Sequence, residues 1–332
     1  MSPAGRIASL LPSATEIVYA LGLGDRVVGV SHSCDHPPEI RAQPRLTRPR
    51  FALDGRSSGE IDLAVREALH EFASVYEVDK ERLAAVRPDL LLTQGVCEVC
   101  AVPTRDAETA AAGLDSCPTV LALDAHDVAG VLDTIRLVGR AGGVPERADR
   151  YVLEIERRIA SVRARIEDQP EPRVLALEWL DPPFVPGHWV PEMVALAGGN
   201  VLRGVAGRPS FPVGWEDLAG LDPDVLLVMP CGFALAAARA DARRYGASLC
   251  AVAPRAIRSR RAYAVDATAH FSRPGPRVAD GVELLAALLH PDIFPRASLE
   301  GRAVVWGWPK RRNVRSRRVG ASQLAARHVS VN

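Results

Sequence analysis

Short apolar runs alternate with helical patterns along most of this chain of 332 residues. An apolar run at 7–11 precedes a helical pattern at 14–21, where Ser13 and Glu16 have the spacing of a capping box. The same alternation starts again at 173–177 and continues beyond it. Alternation of this kind is typical of a parallel sheet with helices on its faces. We therefore predict an α/β protein with two Rossmann-like halves, each built on a mostly parallel sheet.

One long amphipathic segment separates the two halves. Residues 145–168 contain no helix breaker after the opening proline, and apolar residues recur there at steps of three and four until Pro170 and Pro172. At 1.5 Å per residue the predicted helix is about 35 Å long. A rigid connector and an ordinary surface helix fit this pattern equally well. We predict an N-terminal lobe, a helical connector, a C-terminal lobe and a basic tail without regular structure, at residues 1–125, 126–170, 171–295 and 296–332.

Charge and hydropathy exclude several classes of protein. The 41 basic and 40 acidic residues give a net charge of +1, which argues against a nucleic-acid partner. Eight basic residues and no acidic one lie in 301–332, so the rest of the chain is net negative. No apolar run approaches the roughly 18–20 residues that cross a bilayer, and no secretory signal pattern is present. We expect a cytoplasmic protein as written, or a periplasmic or cell-surface one if the true start lies upstream.

Thiols concentrate where predicted strands end. Loops at the carboxyl ends of parallel strands carry the functional groups of open α/β sheets. Cys34, Cys97, Cys100 and Cys231 lie in such loops. The C-x-x-C spacing of Cys97 and Cys100 suits half of a tetrahedral metal site, a redox pair, or a structural role. One hypothesis is therefore a cytosolic metal-site protein or enzyme in which these four cysteines bind a metal ion or cluster.

Large rings lie in the strand-exit loops of the second half. Trp179, Trp189 and Phe271 offer flat apolar surfaces beside polar groups, a combination that suits a large ring-shaped ligand. Packing of each tryptophan in a lobe core is the alternative interpretation. His188 is a candidate ligand for a metal held in such a ring, or a hydrogen-bonding wall residue. No nucleophile-elbow or phosphate-loop pattern occurs, so we expect a binding protein and not an enzyme.

Several motifs follow one another along the chain, in the segments Ser9–Glu16, Val28–Ser31, Cys34–Pro38, Arg87–Leu90, Pro182–Gly187 and Met193–Leu202. In sequence and order they resemble the motifs of the substrate-binding proteins of iron-complex and vitamin B12 ABC importers. The resemblance covers about residues 5–292 and looks strongest to the cobalamin-binding branch, in particular to a subgroup without a leader.

The resemblance implies a helical-backbone fold in which two lobes hold a ligand between them without catalysing a reaction. The expected ligand is a corrinoid such as cobalamin, or another metal chelate, and the expected state is a monomer. Aromatic residues from both lobes flank the corrin in this branch, and Trp179, Trp189 and Phe271 match those positions. The resemblance also implies an ABC permease partner, docked through Glu216 and Glu98. The expected polar ligand contacts are Tyr76, Gln94, Glu178 and Arg273.

Overall fold

The first sheet is four parallel strands in the order β2-β1-β5-β6, and β3 and β4 form a separate antiparallel pair. The computed structural model describes residues 3–52, 55–97, 99, 101–295 and 299–306. An α-helix directly follows three strands of the main sheet, whereas β2 is followed by a short 3-10 helix and the antiparallel pair. The strands of this half are β1 (Ile7–Ser9), β2 (Val27–Val30), β3 (Thr47–Pro49), β4 (Tyr76–Val78), β5 (Leu90–Thr93) and β6 (Thr119–Ala122).

Side-chain caps fix the starts of three helices in this half. The Ser57 hydroxyl accepts the backbone N–H of Glu60, and the Glu60 carboxylate accepts the N–H of Ser57, which makes a complete capping box. Asp79 accepts the backbone N–H of Arg82 and Asp127 accepts that of Gly130, so each caps the helix that follows it with a single side-chain hydrogen bond. The helices are α1 (Pro12–Ala20), α2 (Ser58–Phe72), α3 (Lys80–Val86), α4 (Thr104–Ala112) and α5 (Val128–Ala141).

Helix α6 (Pro145–Arg165) is the predicted long helix, and it ends three residues earlier than expected. Proline at its first turn removes an N–H that has no partner in a helix. Its buried stripe, which includes Val152, Ile155 and Ile159, packs against α5 on one side and against a helix of the second half on the other. The helix therefore contacts both halves along its length, as a connector does.

The second sheet has the order β10-β7-β12-β13-β14, parallel except for its last strand. A small antiparallel sheet of β11, β9 and β8 lies beside it. The strands are β7 (Arg173–Leu177), β8 (Trp179–Leu180), β9 (Pro183–Val185), β10 (Asn200–Val201), β11 (Phe211–Pro212), β12 (Val225–Val228), β13 (Ala262–Val265) and β14 (Ala303–Val305).

Strand β14 corrects the prediction that residues beyond 295 lack regular structure. It pairs with β13 from Tyr263 to Val265, so 303–305 belong to the second sheet, whereas 296–298 and 307–332 lie outside the described residues. The helices of this half are α7 (Val190–Leu196), α8 (Trp215–Leu218), α9 (Leu235–Arg244), α10 (Gly246–Val252), α11 (Pro254–Arg258), α12 (Ala267–His270) and α13 (Val278–Leu289).

One apolar core runs through both halves. Ile7 of the first sheet, Ile155 of α6, Val174 of the second sheet and Leu285 of α13 belong to the same buried cluster. The predicted α/β fold with two mostly parallel sheets is confirmed. Because the halves share this core along α6, they cannot separate without exposing apolar surface. None of the helices in the described part of the chain is both long and apolar enough to cross a membrane.

Candidate ligand-binding site

Ion pairs join the two halves where the strands of the first sheet end. Glu16, only 4% exposed on α1, accepts hydrogen bonds from Arg277 Nε at 2.8 Å and from Arg273 Nη1 at 3.0 Å. Arg273 also donates to Asp35 at 2.5 Å and to the Ser33 carbonyl at 3.2 Å. The prediction that Arg273 contacts the ligand is not supported, because its guanidinium is buried against the first half.

The Glu16 contacts also correct the predicted capping box of α1. The helix starts after Leu11, and no side chain caps its first turn. Ser13 lies inside the helix, and the Glu16 carboxylate points to Arg273 and Arg277 instead of back along α1. The pattern S-x-x-E marks a cap only when no stronger partner competes for the carboxylate, and two guanidinium groups are stronger partners.

Helix α2 contacts the second half through its first turn. The Ser58 N–H donates to Asp241 Oδ1 at 3.2 Å, and the Trp179 indole N–H donates to the Ser58 carbonyl at 3.1 Å. Trp179 also packs edge-on against Phe233, with ring centroids 5.4 Å apart. The ring predicted to flank a ligand is thus held by α2 and Phe233, within the chain itself.

Tyr76 and Cys231 approach each other from opposite halves. The Cys231 side chain is exposed, yet burial raises the pKa of its thiol to about 11, with a further contribution from Glu178. Burial likewise raises the pKa of Tyr76 to about 12, and the nearby Cys231 raises it further. We call the place where Tyr76, Glu178 and Cys231 come together the recess.

Glu178 is the carboxyl group of the recess. It follows β7, and its backbone carbonyl accepts the N–H of Cys231 at 2.9 Å, which fixes the two residues side by side. The Ser210 hydroxyl donates to Glu178 Oε2 at 2.5 Å. Burial raises the pKa of Glu178 to about 7, and the Ser210 hydrogen bond lowers it only in part. Near neutral pH, Glu178 is therefore a mixture of carboxylate and neutral acid.

The raised pKa of Glu178 predicts a pH dependence of stability. The folded pKa of about 7 exceeds the ordinary 4.5, so the folded protein binds more protons between these values and loses stability as the pH rises through them. We expect the Glu178→Gln variant to gain melting temperature relative to the unmodified protein between pH 4.5 and pH 8, by roughly 2–4 °C. Thermal melts at both pH values measure this. An equal difference at both, or one shared by Glu77→Gln at the exposed Glu77, would contradict it.

Two of the three predicted ligand-flanking rings lie in the apolar core. Trp189 and Phe271 are 8% and 3% exposed, and the Trp189 indole N–H donates to the Phe271 carbonyl at 2.8 Å. Both side chains belong to the buried apolar cluster that the two halves share, so their predicted packing on a ligand stays a prediction without support from their exposure. The alternative interpretation, that they pack in a lobe core, is the one the structure shows.

His188 is grouped with other rings instead of with the recess thiol. Its ring centroid lies 5.6 Å from that of Trp189 and 5.8 Å from that of His126. Burial lowers the pKa of His188, and the neighbouring His126 lowers it further. Its Nδ1 is buried and has no hydrogen-bond partner among the residues that the structure describes. Its predicted role as a ligand to the metal of a chelate stays a prediction.

The predicted thiolate cluster does not form among the described residues. Cys34 is buried beside the Thr15 hydroxyl at 3.1 Å, and burial raises its pKa to about 11. Cys97 is disulfide-bonded, so its sulphur is not a thiolate, and Cys100 lies outside the described residues. Within the part of the chain that the structure describes, no three His, Cys, Asp or Glu side chains are arranged to hold a metal ion. The hypothesis of a four-cysteine metal site is corrected accordingly.

Three further residues were predicted to contact the ligand or a permease: Gln94, Glu216 and Glu98. Gln94 is buried directly after β5, and Glu216 is exposed in α8, while Glu98 lies outside the described residues. Helix α2 and its contact with Asp241 were not predicted from the sequence. The sequence nevertheless indicates a helix here, because Ser57 and Glu60 have capping-box spacing before a helical apolar pattern.

Two α/β halves that share a core along one helix and meet at a recess define the class of two-lobed ligand-binding proteins. The profile of the periplasmic binding protein family matches residues 7–245. The chain belongs to this family, as the motifs predicted.

Three relatives illustrate the membership. The uncharacterized ABC transporter substrate-binding lipoprotein YvrC of Bacillus subtilis is 28% identical over 303 residues, covering 87% of this chain and 81% of that protein. The vitamin B12-binding protein of Vibrio cholerae is 24% identical over 291 residues, covering 86% and 90%. A periplasmic heme-binding protein of Pseudomonas aeruginosa has the same fold, with a TM-score of 0.66, 24% identity and coverage of 88% and 95%.

These relatives bear on function and location. They are substrate-binding proteins, which supports a binding role instead of catalysis. The matching family is described as periplasmic binding proteins, and YvrC is named a lipoprotein, so the expected cytoplasmic location is not supported.

Proposed function

We propose that the chain is the substrate-binding component of an ABC importer and carries a corrinoid, such as cobalamin, or another planar metal chelate between its halves. The observation that supports this is the proximity of Tyr76 from the first half to Cys231 and Glu178 from the second half. Two of the relatives are named for vitamin B12 and heme, which are both planar metal chelates. The role requires the protein to work outside the cytoplasmic membrane, as a monomer.

The electrostatics of the recess suit such a ligand. The raised pKa values keep Tyr76 and Cys231 neutral near pH 7, and Glu178 is partly neutral. A neutral recess accepts a large ring at a small desolvation cost, and apolar contact contributes about 25 cal/mol per Å² buried before binding entropy is subtracted. Residues 1–125 and 171–295 are the proposed lobes around the recess, with 126–170 as their connector.

The proposed permease contact uses the outer surface. Glu216 is exposed on the short helix α8, where its carboxylate is free to meet a basic pocket of a permease. Together with Glu98, it forms the proposed pair of docking residues, one on each lobe.

Ligand binding is expected to protect Cys231 from alkylation. Cys231 and Cys117 are both free and exposed, but only Cys231 lies in the recess. At a ligand concentration about 100 times Kd, a ligand in the recess slows labelling of Cys231 by about a hundredfold by mass action. Labelling with a bulky maleimide, followed by mass spectrometry of each cysteine, measures this in the presence of cyanocobalamin, dicyanocobinamide or haemin.

Cys117 is the internal control, and its labelling rate should not change. Absorbance and tryptophan fluorescence titrations of the same samples establish whether each chelate binds. A chelate that binds with saturation while Cys231 reacts at its original rate would show that the recess is not the site. Absence of binding by all three would overturn the proposed function.

A further inference from the structure

Oxygen atoms from both halves of the chain meet around the first turn of α2. The Ser58 N–H donates to Asp241 Oδ1 at 3.2 Å. A Cβ on Gly59, the next residue, would lie 2.5 Å from Asp181 Oδ2 and 3.2 Å from the Tyr245 hydroxyl oxygen. The Tyr245 hydroxyl donates to Asp181 Oδ2 at 3.0 Å. Two carboxylates and two hydroxyls therefore come together here, and we call Ser58, Asp181, Asp241 and Tyr245 the α2 cluster.

Two oxygen atoms of the α2 cluster are buried without a partner. Asp241 is 2% exposed, and Ser58 is 0% exposed. Asp241 Oδ2 and Ser58 Oγ make no hydrogen bond with any residue that the structure describes. Burial raises the pKa of Asp241, and the nearby Ser58 hydroxyl and N–H lower it only in part. Buried polar groups are nearly always hydrogen-bonded, so we expect a group from outside the chain to complete both oxygens.

The charge of the α2 cluster selects the kind of group. Besides burial, the Asp181 carboxylate raises the pKa of Asp241, because the two negative charges repel each other. Arg244 acts in the opposite direction, but its side chain is 50% exposed and lies 3.7 Å from the Glu60 carboxylate. A cation satisfies the two oxygens and also relieves the repulsion. A water molecule does only the first, and an anion adds to the repulsion.

We propose that the α2 cluster binds a hard cation, with Ca²⁺ as the expected ion. All of its candidate ligands are oxygen atoms, which suit hard cations and not soft metals. Ca²⁺ accepts irregular sets of oxygen ligands, whereas Mg²⁺ requires near-ideal octahedral geometry. Asp181 is exposed, so water can complete the shell around the ion.

The proposed cation joins the two halves, because Ser58 lies in the first half and Asp181 and Asp241 lie in the second. Two carboxylates are fewer charged ligands than a tight site provides, so we expect a Kd of about 10⁻⁴–10⁻³ M, as in extracellular calcium modules. The inference goes beyond the proposed function and does not depend on which ligand the recess binds.

The test uses Tb³⁺, which replaces Ca²⁺ at oxygen sites and emits when a nearby tryptophan is excited. The Trp179 indole N–H donates to the Ser58 carbonyl at 3.1 Å, so this ring lies beside the cluster. We expect saturable Tb³⁺ emission that Ca²⁺ displaces, and a melting temperature roughly 4 °C higher at a Ca²⁺ concentration of about 100 times Kd. Asp241→Asn and Asp181→Asn should each weaken Tb³⁺ binding at least tenfold. Trp179→Phe should reduce the emission but keep the Ca²⁺ effect on melting.

Asp149→Asn is the matched control, because Asp149 is a carboxylate of α6 that is 63% exposed. Its affinity for Tb³⁺ should equal that of the unmodified protein. Asp241→Asn keeps an acceptor for the Ser58 N–H and removes a buried charge, so in the presence of a chelator it should melt no lower than the unmodified protein. Should it fail to fold, Asp181→Asn gives the same comparison at an exposed residue.

Two results would overturn the proposal. Equal Tb³⁺ affinity of the unmodified protein and the Asp181 and Asp241 variants would mean that water or a proton completes the cluster. A Ca²⁺ effect on melting that these variants keep in full would place the ion elsewhere. Neither result changes the proposed function, which the chelate titrations test separately.

Discussion

Replacing Glu16 by alanine is expected to lower the free energy of unfolding by about 3–5 kcal/mol. The Glu16 carboxylate is nearly fully buried and binds Arg273 and Arg277, both from the other half of the chain. Removing it leaves two guanidinium groups largely out of water, and Arg273 keeps the Asp35 carboxylate and the Ser33 carbonyl as partners. Unpaired charges in a poorly hydrated place are strongly unfavourable. Urea unfolding followed by circular dichroism measures the loss.

Two further variants separate burial from charge pairing as such. Glu77→Ala removes the partner of Arg48 in a pair whose side chains are 40% and 70% exposed, and it should cost less than about 1 kcal/mol. Glu16→Gln keeps the shape and an acceptor oxygen but not the charge. Its loss in the free energy of unfolding should therefore lie between those of Glu16→Ala and Glu77→Ala. A Glu16→Ala loss as small as that of Glu77→Ala would mean that the arginines find water or other partners, and that these pairs do not hold the halves together.

The fold could be predicted from the sequence because its signals are local. Apolar runs bounded by prolines and glycines predict β7 and α3 with the bounds that the structure shows. The apolar residues that recur at steps of three and four over 145–168 predict α6. Each signal depends on residues a few positions apart, and the parallel sheets follow from the alternation alone. Strand β14 was missed because it is only three residues long and belongs to no apolar repeat. Its extended conformation is stabilised by pairing with β13, which is distant in the sequence.

The site was predicted less well because its contacts join distant positions. Arg273 and Glu16 are separated by 257 residues, so nothing near either one indicates the other. The position of Trp189 after a strand was correctly noted, but whether its ring faces a ligand or the core depends on how α7 and α13 pack. Cys231 and Tyr76, by contrast, lie close to each other although 155 positions separate them, and their role in ligand binding stays a prediction. Residue type and position identified candidates; packing decided which of them are accessible.

Gly187→Ala is expected to be the second strongly destabilising change, with a loss of about 2–3 kcal/mol in the free energy of unfolding. A Cβ on Gly187 would overlap the backbone of Arg208, Pro209 and Ser210, which has no side-chain freedom with which to move aside. Gly187 is also linked to Glu178 of the recess by two hydrogen bonds. The Gly187 N–H donates to the Ser210 hydroxyl at 3.1 Å, and this hydroxyl donates to the Glu178 carboxylate.

Displacing Ser210 removes the hydrogen bond that lowers the pKa of Glu178, so this pKa should rise further in Gly187→Ala. The loss of stability on raising the pH should then shift to higher pH, which thermal melts across pH 5–9 detect. Gly113→Ala is the matched control: its Cβ meets nothing closer than the Ala110 carbonyl at 3.7 Å, so stability should stay the same or rise slightly. If both variants unfold at the same urea concentration, the 208–210 segment yields to the methyl group, and Ser210 does not position Glu178 through Gly187.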